Sequence, residues 1–406
     1  MIKREKTEGV RKIQMKSYSK NVKTVKNENR ALIFAYLRRG AVSRADISKR
    51  SGMSKSAVTM ITNALIEEGQ IVEIGATDSS MGRKPILLDI VADYRYAAGI
   101  ALHRDTFYVC LTDLKSEIIA YNSFQTDRWK DPYALLDFAY DTVMSLMREH
   151  ALPLEKCIGI GVSAPGPLDY VSGKILNPPE FSLFRNVDVG EYLKKKSGLP
   201  VMLDNNAVLY AMQEYATQPQ SQFRNFMFVS VFGGIGAAVL TEGRVFRGCS
   251  GFAGELGHTV THPDGIPCAC GNRGCLERYA SMKALKTMFG FDSYERMVDD
   301  AYLGDRRSNE ILTYIARELS YAIVNAVNLL DLEAVVLYGE FSYRSEKLLK
   351  LLYEQVQGRT VFGRTHDVLI RFSEISNDLA CTSVCAAIIN AYFAQKLDIS
   401  QETARF

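Results

Sequence analysis

The chain has 406 residues, 47% of them hydrophobic and 23% charged, a balance that excludes a disordered chain and supplies cores for two or three domains. No apolar run approaches the roughly 20 residues of a membrane helix, and the polar N-terminus lacks the apolar segment of a secretory signal, so a cytoplasmic protein without membrane insertion is expected. The net charge of +3 hides an asymmetry: residues 1–30 carry ten Lys or Arg against three Glu, and the remainder is mildly acidic.

Residues 1–26 therefore read as a basic, flexible arm, suited either to polyanion contact or to a solubilising role. Residues 27–90 read as a winged helix-turn-helix. Leu32, Ile33, Tyr36 and Leu37 recur at helical spacing before Gly40. Ser43 and Asp46 form a capping-box pattern for a short helix, SGMS turns the chain, and Ser54 caps a third helix with Val58, Ile61 and Leu65 on its core face. On the outer face of that helix, Ser54, Lys55, Ser56, Thr59 and Asn63 offer short polar and basic groups for phosphate and base-edge contact in a major groove. Residues 71–90 then form two β-rich runs around a turn carrying Arg83 and Lys84, a wing whose tip reaches DNA. A protein-docking module with the same three helices is the alternative.

From Tyr96 the chain alternates as strand hairpins, with turns at His103–Asp105 and Asp113–Glu117, followed by a helix over Pro132–His150. CIGIGVSAPGPLD is a buried strand entering a Gly/Pro loop, and VMLDNNAVLYAMQEYA is a strand feeding a helix at Asn205–Asn206. The strand and turn pattern recurs at FMFVSVFGGIGAAVL and at EAVVLYGE. Long helices follow over Ser308–Leu330 and Asn377–Gln395. Hairpins followed by helices, twice over, predict an α/β body of two lobes with a cleft, a smaller lobe over 91–205 and a larger one over 206–376, the helix over 377–395 packing back on the first.

The segment GELGHTVTHPDGIPCACGNRGCLE, Gly254–Glu277, places His258, Cys268, Cys270 and Cys275 at metal-ligand spacing. Three cysteines within eight residues around the turn Gly271–Gly274, with a histidine ten residues upstream, make a four-ligand structural Zn2+ site. Four protein ligands leave no open position for a catalytic water.

These motifs resemble the ROK family (repressor, open reading frame, kinase), in its regulator branch of xylose and N-acetylglucosamine repressors. The resemblance rests on GFAGELGH with CACGNRGCLERYAS, on GVSAPGPLD, on the GGIG turn with LTEGRVFRG, and on the N-terminal winged helix. It implies an actin-like, hexokinase-like body that binds a monosaccharide or sugar phosphate through Asn205, Asn206, Glu255, His258 and Glu277, with His258 also on zinc. Kinases of the family place an Asp base where this chain has Asn206, and a Gly-x-Asp-x-Gly-Gly-Thr phosphate loop where it has Gly99, Ile100, Ala101, Leu102, His103, Arg104 and Asp105. Glu340 follows Gly339 where kinases pair glycines.

The expectation is a sugar-responsive transcriptional regulator, a repressor by resemblance and not an enzyme. It would bind a near-palindromic operator as a homodimer or homotetramer. The competing readings are an active sugar kinase with an appended DNA-binding domain, and a regulator for which zinc is the signal.

Overall fold

The computed structural model describes residues 22–76, 85–218, 223–361, 367–375, 379–394 and 397. The basic arm up to residue 21, and Arg83 and Lys84 of the wing tip, lie outside these residues. The head comprises α1 (Val22–Leu37), β1 (Val42–Ser43), α2 (Arg44–Ser51), α3 (Lys55–Glu67), β2 (Ile71–Ala76) and β3 (Ile86–Ile90). Helix α1 starts five residues ahead of the expected Asn27, because nothing in Val22–Lys26 breaks a helix and propagation costs less than a new start. Ser43 accepts from the Asp46 amide at 3.1 Å and donates to its carboxylate at 2.6 Å, closing the capping box. Ser54 accepts from the Ala57 amide at 3.2 Å and opens α3, while Val58, Ile61 and Leu65 are buried as their spacing predicts. The wing is antiparallel, Ile71 facing Ile90, and β1 adds to β3.

The first lobe holds β4 (Tyr96–Leu102), β5 (Thr106–Asp113), β6 (Ile118–Gln125), α4 (Pro132–Glu149), β7 (Cys157–Ala164), a small ribbon of β8 (Leu168–Asp169), β9 (Lys174–Ile175) and β10 (Val187–Asp188), then α5 (Val189–Ser197) and β11 (Val201–Asn205). Its main sheet runs β11-β7-β4-β5-β6. Period-two alternation divides the two faces. Tyr96, Ala98, Ile100 and Leu102 share a core with α4 and α5, whereas Ala97, Cys110 and Ile158 share one with the C-terminal helix.

Helix α6 (Asn206–Thr217) leads to the second lobe: β12 (Phe226–Val231), β13 (Ile235–Thr241), β14 (Arg244–Val245), α7 (Glu277–Ala280), α8 (Met282–Phe289), α9 (Tyr294–Tyr302), α10 (Arg306–Leu330), β15 (Ala334–Gly339), α11 (Glu346–Val356), β16 (Leu369–Phe372) and the returning α12 (Leu379–Phe393). The second sheet runs β14-β13-β12-β15-β16. Met227, Val229 and Val231 face α10 and α11, and Phe226 and Phe228 face α6.

Helices α6 and α12 pack on each other between the sheets, α6 on the second and α12 on the first. Glycines permit the close approach of α12. A methyl at Gly99 would lie 2.6 Å from Val384 Cγ1, and one at Gly161 would lie 2.3 Å from the Val384 carbonyl oxygen. The same helix carries the head. Phe34 of α1 stacks on Phe393 at 3.5 Å, and Arg38 donates to Asn390 at 2.6 Å and Ser116 at 2.9 Å. Burial lowers the Arg38 guanidinium to about 10, opposed by Asp113. The head and the first lobe thus share one core through α12.

Candidate functional site

His258 ends a tight turn over Leu256–His258, and the loop after it folds back so that Val260 bridges Cys275 and Pro267 bridges Arg273. At Gly274, φ is +73° and a methyl would lie 1.7 Å from the His262 carbonyl oxygen, so only glycine fits this close fold. The knuckle closes through Cys268 N–H to the Asn272 carbonyl at 2.8 Å and Gly271 N–H to the Cys268 carbonyl at 3.0 Å. One ligand atom each from His258, Cys268, Cys270 and Cys275 lies within 4.8 Å of the others. His258 Nδ1 is 3.6 Å from Cys268 Sγ, and Cys270 Sγ is 3.6 Å from Cys275 Sγ. Tetrahedral zinc with these ligand types sets such pairs about 3.4–3.8 Å apart, so the donor set fits a closed zinc site. Burial pushes the Cys268 and Cys275 thiols up. His262 Nε2 lies 2.6 Å from the buried Glu318 carboxylate, tying the loop to α10.

Asn205 ends β11 and Asn206 opens α6, at the passage from the first lobe to the second. Asn205 accepts from the Ala207 amide at 2.9 Å and so caps α6, leaving its Nδ2 free of that duty. A methyl at Gly166 would lie 2.7 Å from that Nδ2 and 3.2 Å from Glu255 Oε1, so the two side chains meet at one glycine. Asn206 donates from Nδ2 to the Leu102 carbonyl at 3.0 Å, and its Oδ1 is buried without a partner. Glu277 Oε1 accepts from Cys268 Sγ at 3.2 Å and stands 3.6 Å from His258 Nδ1. Burial raises the Glu255 carboxyl above its ordinary value, with His258 and Arg104 opposing and Glu277 adding repulsion. Asp204 holds Arg247 through two bonds of 2.7 and 2.6 Å, joining the lobes at the rim.

Sequence reasoning noticed His103 and Arg104 only as departures from a phosphate loop. The structure gives both a place. His103 packs against Tyr108, Tyr210 and Phe232, and Tyr338 completes an aromatic cluster between the lobes. Burial lowers the His103 imidazole to about 4, so it is neutral, with Nε2 at 3.1 Å from the Tyr210 hydroxyl. Arg104 lies against Gly234 of the GGIG turn, where a methyl would be 2.5 Å from its Nη1 and 2.9 Å from Glu277 Oε2. It pairs with Glu180 at 3.8 Å, and Glu180 pairs in turn with Lys283 of the other lobe. The signal that could have found them was the size of the side chains themselves, since groups this large at a glycine position must occupy the space they deny to phosphate.

In the head, Ser54, Lys55, Ser56, Thr59 and Asn63 are exposed along α3. Ser54 and Thr59 have structural bonds, the cap and a 2.9 Å bond to the Lys55 carbonyl. Two further residues belong to this surface. Met60 is 64% exposed between Ser56 and Asn63, and Arg44 reaches Thr62, Asn63 and Glu73 at 3.0, 3.0 and 2.7 Å, bracing α3 against the wing.

The family model described as "ROK family" matches residues 97–381. The xylose repressor of Bacillus spizizenii is 30% identical over 352 residues, covering 85% of this chain and 91% of that protein. The DNA-binding transcriptional dual regulator NagC of Escherichia coli is 30% identical over 401 residues, covering 93% and 97%. A crystal structure of a ROK family transcriptional regulator, a homolog of the E. coli MLC protein, superposes with a TM-score of 0.76 at 24% identity, covering 91% of this chain and 97% of that one. The family model spans more than half of the chain, and the chain belongs to the ROK family.

Proposed function

We infer that the chain is a sugar-responsive transcriptional repressor: the winged helix binds operator DNA, and a monosaccharide or sugar phosphate in the interlobe cleft changes that binding. The reading is supported by relatives named as repressors over nearly the whole chain. The observation that carries it is the pairing of a winged head with a cleft in which an amide, Asn206, stands where a sugar kinase needs a carboxylate base. An amide cannot take a proton from a hydroxyl. The neutral His103 cluster and Arg104 fill the turn where phosphates would need backbone amides, which supports loss of ATP binding together with loss of the base.

In this reading Asn205, Asn206, Glu255, His258 and Glu277 contact the sugar, and His258, Cys268, Cys270 and Cys275 hold zinc. The metal stiffens the wall that carries Glu277 and orients His258 through Nδ1, leaving Nε2 for the ligand. Ser54, Lys55, Ser56, Thr59 and Asn63, with Arg83 and Lys84 on the wing, face DNA, and two copies bind a near-palindromic site. Two assays test the reading together. The purified chain should prefer its own promoter region over random DNA at about physiological salt, and a coupled assay with ATP and a sugar panel should show no sugar-dependent ADP. Sugar-dependent ADP abolished by a cleft mutation would make the chain a kinase.

A further inference from the structure

Within the operator-binding reading, on which this rests, the outer side of α3 has an apolar centre. At 3.6 residues per turn, Ser56, Met60 and Asn63 fall within an arc of about 60°, opposite the buried Val58, Ile61 and Leu65. At 1.5 Å per residue they extend over about 10 Å, the length of roughly three stacked base pairs. Met60 is 64% exposed in the middle of this row. The polar groups beside it are already engaged within the protein. Ser56 Oγ lies 3.1 Å from Ser54 Oγ, Thr59 donates to the Lys55 carbonyl at 2.9 Å, and Asn63 Oδ1 accepts from Arg44 at 3.0 Å. Arg44 is fixed in turn by Thr62 at 3.0 Å and by the Glu73 carboxylate at 2.7 Å, which balances its charge.

A methionine side chain has no proton to donate, and its sulfur accepts only weakly. The one apolar substituent that base pairs show in the major groove is the thymine C5-methyl. Against an amino group, or against O6 and N7 of guanine, Met60 would displace water and supply no bond in its place. Against a thymine methyl it buries apolar surface on both partners. We propose that Met60 is a specificity-determining residue, packing on one thymine methyl in each operator half-site while the bonded side chains around it hold it in register.

The test is fluorescence anisotropy with the full chain and a duplex carrying the promoter region it protects, thymines being replaced one at a time by deoxyuridine. That exchange removes a methyl and leaves every hydrogen-bonding group in place. One position in each half-site should lose about three- to tenfold in affinity. Met60→Ala should lose a similar factor on the native duplex and nothing further at those positions, with its affinity for random DNA unchanged. Met60→Leu, still apolar, should keep the sensitivity. Met60→Gln, of similar length but polar, should behave as the alanine variant and stands in for it should that one not fold, melting temperatures reporting which do. A native chain with no sensitive thymine, a sensitivity that persists in Met60→Ala or Met60→Gln, or an equal loss on promoter and random DNA overturns the inference and leaves operator binding standing. No preference of the native chain for its promoter over random duplex removes both.

Discussion

Asn206 differs from an aspartate by one amino group, yet restoring the carboxylate should not restore a kinase. Asn206→Asp would turn an acceptor toward the Leu102 carbonyl, and the neighbouring turn would still hold His103 and Arg104. A coupled ADP assay of this variant should stay at background, and measurable turnover would show that the nucleotide site survives. His103 gives a second residue-level prediction. Its ordinary value is 6.5 and its folded value about 4, so between these the unfolded chain binds more protons. Stability contributed by the neutral ring is therefore present above about pH 6.5 and lost as pH falls toward 4, by about 2 kcal/mol after allowing for partial solvent contact. Urea unfolding across that range should show a shallower loss in His103→Phe than in the native chain. The grouping of His258 with the three cysteines was legible in the sequence because it depends on identity and spacing. The roles of His103 and Arg104 were not, because they depend on which side chains from the other lobe meet them.

At the scale of elements, local signals transferred well. Ser43 and Ser54 each cap the helix their spacing announced, because a cap is a bond between residues a few positions apart. Non-local packing did not transfer. Gly99 and Gly161 make room for α12, a segment more than 200 residues away, which no local pattern announces. The His/Cys loop has little regular secondary structure to hold it, so a metal bound by the four proposed ligands should matter for stability: Cys275→Ser should lose stoichiometric zinc and lower the melting temperature by about 5–10 °C, corresponding to roughly 2–3 kcal/mol. On α3, Lys55→Ala should weaken promoter binding across all sequences and reduce the slope of log affinity against log salt by about one, read by fluorescence anisotropy from 50 to 200 mM salt.

For the whole molecule, the feature of consequence is the route from cleft to head. Asn206 opens α6, α6 packs on α12, and α12 stacks Phe393 on Phe34 of α1. Two lobes and a winged head were legible from the order of hairpins and helices, whereas this joint was not, since α1 and α12 lie at opposite ends of the chain. A ligand shifts such a system only by the difference in its affinity for the two arrangements. The most direct measurement is the affinity of the full chain for a duplex from its own promoter, by fluorescence anisotropy at about physiological salt, with and without a sugar shown by calorimetry to saturate the cleft. The account predicts a change of at least about tenfold in the dissociation constant, a coupling of about 1.4 kcal/mol. An unchanged dissociation constant at saturating sugar would contradict it.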